Sequence, residues 1–219
     1  VKQALTGLGL AEEAAKVEQS LVLAARSDPQ ALGSLVAHYR QDGRRDEAEA
    51  LMRRAREANP RSVPIVSLLA HYLGEDQRAQ DAEAVWREAL KLQPDSDYLQ
   101  NSLAYALAES GTKAAEALEL IDKALKRQPK NGAFLDTRGW ALYKLKRLPQ
   151  AEEALRKAVE AAPGEVEILD HLGDVLLARG NRAAALEQWR KALADPDVED
   201  ALKAAIEAKV KEAERPSPS

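Results

Sequence analysis

Residues 132–165 read GAFLDTRGWALYKLKRLPQAEEALRKAVEAAPGE, and one phased pattern in this stretch decides the fold. Gly139, Ala151 and Ala158 are small, Leu155 stands between the two alanines, and Pro163 closes the segment. Outward in both directions the same positions recur. Prolines fall at Pro60, Pro94, Pro129 and Pro163, spaced 34, 35 and 34 residues apart. Alanines fall at Ala48, Ala82, Ala117, Ala151 and Ala185, and seven residues after each comes Ala55, Ala89, Ala124, Ala158 or Ala192. Between the members of each pair stands a large apolar residue: Met52, Trp86, Ile121, Leu155 or Trp189. A fifth column, Val36, Ala70, Ala104, Gly139 and Gly173, precedes the first alanine by twelve residues, and by thirteen in the third copy. The extra residue lies between Ala104 and Ala117, and a turn at Thr112 absorbs it more readily than a helix would.

A period of this length indicates a repeat array in which each unit buries its apolar face against its neighbours. Small residues at facing positions let two helices approach closely, and the large residue fills the space to the next hairpin. Gly43, Gly74, Gly111 and Gly180 read as the turns between paired helices, and each closing proline ends a second helix. Asp28-Pro29 reads as an N-cap followed by proline in the first turn.

A 34-residue helical hairpin with alanines in these columns and a terminal proline resembles the tetratricopeptide repeat. The resemblance implies an all-α fold, a right-handed superhelical solenoid of antiparallel helix hairpins with a C-terminal capping helix. It divides 29–197 into repeats at 29–62, 63–96, 97–131, 132–165 and 166–197. Ala11–Ala25 reads as the second helix of an incomplete repeat within 1–28, and the start at Val1 reads as an excised piece with further repeats upstream. Val198–Glu214 is amphipathic, with Ala201, Leu202, Ala205, Ile206 and Val210 on one stripe, as a capping helix requires. Arg215–Ser219 reads as a disordered tail. Where the family favours an aromatic early in the first helix, this chain has Leu32, Val66, Gln100, Leu135 and Leu169, so Gln100 puts local packing in doubt.

Composition supports the reading and excludes others. Charged residues are 31% of the chain and aromatics 4%, a mixture suited to helices. The net charge of −4 argues against a nucleic-acid partner, and no apolar run is long enough to insert in a membrane. Without cysteine there are no disulfides or thiolate metal sites, and the compartment stays open. No phosphate-binding loop, zinc-protease helix or nucleophile elbow occurs. Gly7-Leu-Gly9 lacks a third glycine and a preceding strand. His38, His71 and His171 fall in different repeats at different positions, so a metal site is not expected. Asp170 and Asp174 share a helix face but lack a third partner for acid–base work. We therefore expect no enzyme, no cofactor and no metal.

The resemblance implies instead a partner-binding groove lined by first helices. Carried over by register, it names Tyr98, Asn101, Tyr105, Asp136, Trp140, Tyr143, Asp170 and Asp174, with Glu167 at the same position as Tyr98. Asn101, Asp136 and Asp170 would form a hydrogen-bonding column beside the aromatic surface of Tyr105, Trp140 and Tyr143. The alternative is that Trp140 and Tyr143 pack between neighbouring first helices, whereas Trp86 and Trp189 belong to the core column. Relatives that hold a peptide's terminal carboxylate do so with lysine and asparagine, and here the position of Asn101, Asp136 and Asp170 is lysine nowhere and aspartate twice, so an extended neutral or basic ligand fits better.

Asn101–Gly111, Leu135–Tyr143 and Asp170–Gly180 also resemble the C-terminal repeats of proteobacterial envelope proteins, among them lipoprotein adaptors of processing proteases and scaffolds of polysaccharide export. That resemblance implies a bacterial scaffold or adaptor in the periplasm or at the outer membrane. A regulatory adaptor subunit of such a complex, a cytoplasmic location, and a homo-oligomer assembled through the terminal helices stay as alternatives.

Overall fold

The computed structural model describes residues 29–75 and 78–215, and before them positions 16, 17, 19, 20, 22 and 23, which are helical. The remainder of Ala11–Ala25, Gly7-Leu-Gly9, Asp28 and 216–219 lie outside the described residues. From Pro29 onward the described residues form eleven helices and no strand. They are α1 (Pro29–Gln41), α2 (Arg45–Ala58), α3 (Val63–Glu75), α4 (Ala79–Leu92), α5 (Asp97–Glu109), α6 (Ala114–Arg127), α7 (Gly132–Lys144), α8 (Leu148–Ala161), α9 (Val166–Ala178), α10 (Arg182–Ala192) and α11 (Asp200–Glu214). Consecutive helices pair as hairpins from α1/α2 to α9/α10. The chain forms two compact units, residues 1–94 and 95–219.

Within each unit the phased columns make the core. Both alanine columns and the large residues between them are at most 3% exposed. Large and small residues are matched across the hairpin. A Cβ on Gly139 would lie 2.5 Å from Leu155 Cγ, and one on Gly173 would lie 2.3 Å from Trp189 Nε1. Glycine there lets the first helix close on the bulky side chain of the second. Complete burial of an aromatic or aliphatic side chain of this size stabilises by about 2–3 kcal/mol.

Each closing proline sits two residues beyond a second helix, after Ala58, Leu92, Arg127 and Ala161. The residue between, Asn59, Gln93, Gln128 or Ala162, adopts φ near −135° with ψ between 61° and 75°. Proline bars its predecessor from the helical region, which terminates the helix there. The N–H of that residue donates to Ala55, Ala89, Ala124 or Ala158, so the second alanine column also carries the last helical carbonyl.

The turns depart from expectation in two places. Gly74 lies inside the last turn of α3 and not between helices, because α3 runs on to Glu75. In the α7–α8 turn, the left-handed position held elsewhere by Gly43 and Gly180 is taken by Lys146, at φ 60°. The α5–α6 turn has four residues, 110–113, against three in 42–44, 145–147 and 179–181. Gln100 is buried but satisfied, because its side-chain oxygen accepts from Arg127 Nη2 at 2.9 Å. Arg127 also pairs with Asp97, tying the start of α5 to the end of α6.

Candidate functional site: the first-helix face of the 95–219 unit

In this unit the first helices α5, α7 and α9 pack side by side, each with its second helix behind it. Equivalent repeat positions therefore line up across the three helices, and six of the eight side chains named by register line two clefts there.

Two clefts open there. The larger, about 480 Å³, is lined by Asn101 and Tyr105 from α5, Asp136 from α7, and Glu165, Glu167 and His171 from the α9 segment. The smaller, about 260 Å³, takes in Tyr105, Trp140, Asp170, Asp174, His171 and Lys209. Tyr105, Glu167 and His171 line both. Tyr105 is 38% exposed and Tyr98, on the same helix, 47%. Tyr98 and Tyr143 line neither cleft.

Trp140 is only 7% exposed. Its indole stacks on His171 at 4.2 Å and on Tyr143 at 4.9 Å, its Nε1–H donates to Glu109, and Lys144 Nζ lies 4.5 Å from the ring centre. The ring thus joins α5, α7 and α9 and leaves a small part of itself to the cleft wall.

Asp136 and Asp170 are buried, and both are paired. His171 Nδ1 donates to Asp136 Oδ1 at 2.9 Å. Burial pushes the imidazole towards lower pKa, but Asp136, with help from Asp170 and Glu109, outweighs it and holds the group above its ordinary value. Lys209 Nζ donates to both Asp170 oxygens at 2.8 Å and to Asp174 Oδ2 at 2.9 Å. Burial works against the ammonium, yet these two carboxylates raise its pKa. Asp174 is pushed up, mainly by its burial and secondarily by Asp170, against the lowering effect of Lys209. The Tyr105 phenol is likewise raised by desolvation and by Glu109, Asp136 and Glu167. On α5, Asn101 Oδ1 is buried with no hydrogen-bond partner.

Neither His171 nor Lys209 is among the residues that the register names. The clue to Lys209 is a cation on the apolar stripe of α11, three residues after Ile206. The helix buries Ile206 and Ala213, part-buries Leu202, Lys209 and Val210, and leaves Ala201 and Ala205 exposed. The expected stripe is therefore rotated, because the orientation that brings Lys209 onto α9 turns those two alanines outward.

The His171–Asp136 pair resembles the orienting half of a hydrolytic triad, but no serine or cysteine lines either cleft. Among the described residues, no group of three or more His, Cys, Asp or Glu side chains is placed to hold a metal ion. No helix among them is long and apolar enough to cross a membrane. What the face offers is aromatic surface beside hydrogen-bond acceptors, a make-up suited to binding.

Helix hairpins stacked with a 34-residue period and small-to-large complementarity define an α-helical repeat protein. Residues 67–132 and 112–166 match one model described as tetratricopeptide repeat, and 166–195 match a second. These matches cover more than half of the sequence, and the chain belongs to the tetratricopeptide repeat family. Repeats of this family generally mediate protein–protein interaction and are typically non-catalytic. A 68-residue stretch is 43% identical to the TPR repeat-containing protein PA4667 of Pseudomonas aeruginosa. That stretch is 31% of this chain and 11% of the relative, so the match spans only about a tenth of that protein.

Among solved structures, the TPR protein TTC0263 of Thermus thermophilus aligns with a TM-score of 0.69 at 22% identity, over 83% of this chain and 98% of its own. PilW, a type IV pilus biogenesis factor, aligns with a TM-score of 0.66 at 21% identity, over 83% and 84%. At these identities the likeness is one of fold.

Proposed function

We propose that this chain is a non-enzymatic protein-binding scaffold, and that the face of α5, α7 and α9 seats an extended segment of its partner. The observation that carries the reading is Tyr105, an exposed aromatic standing between two clefts that set hydrogen-bond acceptors such as Asn101, Glu165 and Glu167 beside apolar surface from Ala133, Ala162 and Ile168. Tyr98 and Asn101 extend the surface along α5, and Glu167 faces them from α9. Trp140, Tyr143, Asp136, Asp170 and Asp174 act chiefly by fixing the shape and charge of the walls. The repeats fall at 29–62, 63–96, 97–131, 132–165 and 166–197, and the segment 198–214 caps the last of them. The resemblance to envelope adaptors, with a pilus biogenesis factor among the proteins of like fold, makes a bacterial envelope assembly the setting we favour.

The test is affinity capture with the wild type and with a Tyr98→Ala/Tyr105→Ala variant. Both residues are exposed, so circular dichroism should find the variant folded. A partner held by the wild type and lost by the folded variant supports the site. Equal capture by both moves binding off this face.

A further inference from the structure

Among the described residues, Lys209 is the one lysine or arginine lining the two clefts, where it and His171 stand against Glu109, Asp136, Glu165, Glu167, Asp170 and Asp174. It comes from α11, outside the paired hairpins, and reaches 39 residues back to hold Asp170 through both oxygens. A lysine side chain entering from a separate helix onto a first-helix face has the geometry that a partner's basic residue would have.

The rest of the surface matches that chemistry. Glu165 and Glu167 pair with no cation among the described residues, and Asn101 Oδ1 is an acceptor without a donor. An ammonium or guanidinium supplies donors only, satisfies such a wall without adding a competing acceptor, and can lie over the Tyr105 ring. A carboxylate-bearing segment would meet like charge along most of this wall, with Lys144 set back against Glu109 and the Trp140 ring.

Resting on the groove reading above, we propose that Lys209 stands in for a basic side chain of the partner. On this view the face recognises an extended segment carrying lysine or arginine, and α11 lowers its affinity by competing for Asp170 and Asp174.

The experiment is fluorescence anisotropy on the full chain with a labelled dodecapeptide of alternating alanine and arginine, and an alanine–glutamate peptide as control. Lys209→Ala should bind the arginine peptide about tenfold more tightly than the wild type, because one competing charge pair is gone. Lys203→Ala makes the same change of net charge at an exposed position of α11 and should bind no more tightly than the wild type. Removing Lys209 leaves two carboxylates unpaired and can weaken the fold. Lys209→Gln keeps a hydrogen-bond donor there, and it should show the same direction of change. The glutamate peptide should bind none of them.

Equal affinity of the Lys209 and Lys203 variants, or no binding of the arginine peptide by any protein, overturns the proposal. If partner capture still depends on Tyr98 and Tyr105 in that case, this inference fails alone. Capture indifferent to the two tyrosines is instead the failure of the groove.

Discussion

The match of Gly173 to Trp189 can be tested by adding a single methyl group. A Cβ at residue 173 would sit 2.3 Å from Trp189 Nε1, 2.6 Å from Cδ1 and 2.7 Å from Cε2. Ordinary contact begins near 3.4 Å, so the indole or the α9 backbone must retreat by about 1 Å. Trp189 is fully buried and packed among Leu169, Leu172 and Leu176, so it has no free direction to take. Overpacking of this kind costs about 1–3 kcal/mol. The indole N–H, which donates to the Asp170 carbonyl at 3.3 Å, would be pulled from its acceptor at a further cost of about 1–3 kcal/mol. The better helix propensity of alanine returns about 1 kcal/mol. The net expectation for Gly173→Ala is a loss of roughly 3 kcal/mol. The assay is urea unfolding followed by tryptophan fluorescence. The companion variant Gly74→Ala lies where a Cβ meets nothing within 4 Å, and it should be neutral or gain up to about 1 kcal/mol. In a Trp189→Leu background the cost of Gly173→Ala should shrink by more than about 1 kcal/mol, as expected of contacting residues. A Gly173→Ala protein as stable as the wild type would refute the reasoning.

Other expectations follow from the same geometry. His171 has a raised pKa in the folded state, so its contribution is fully present below the ordinary imidazole value of 6.5 and is lost as pH rises through the folded value. Thermal melts from pH 5 to 9 should show the wild-type advantage over His171→Gln shrinking with rising pH; an advantage independent of pH would contradict the pairing with Asp136. Lys146→Gly should stabilise by about 0.5 kcal/mol, because relief of the left-handed strain exceeds the added freedom of the unfolded chain. Urea midpoints would detect the shift, and a loss of stability would count against the strain. Arg127→Ala should destabilise the 95–219 unit by about 1–3 kcal/mol, since it removes a charged hydrogen bond to the buried Gln100 together with the ion pair to Asp97; a silent substitution in urea unfolding would show that these contacts contribute nothing.

The repeat was legible because its columns are set by packing that every hairpin must satisfy. Ala151, Leu155 and Ala158 carry the fold whatever the surface does, and Gly139 and Gly173 mark where a large residue presses hardest. The register also places Asn101, Tyr105 and Asp136 together, because equivalent positions on adjacent first helices are spatial neighbours. Asp136 and His171 lie 35 residues apart, one repeat plus one position, so the period contains their pairing, although only the rotamers show it. Lys209 was hidden for a different reason. Its partners depend on the rotation of α11, which no repeated column fixes. Trp140 was ambiguous because a first-helix aromatic can face a ligand or a neighbouring helix, and here stacking on His171 draws it inward. Gly74 misled because a glycine near a helix end serves equally as its last turn or as the connection beyond.

The claim that the first-helix face of the 95–219 unit holds a protein segment is tested most directly by photo-cross-linking. A photoreactive phenylalanine analogue replaces Tyr105 in one protein and Arg156, exposed on the second helix α8, in another. The captured partner should cross-link through position 105 and not through position 156. Cross-linking through 156, with none at 105, would place binding on the second-helix face and contradict the claim.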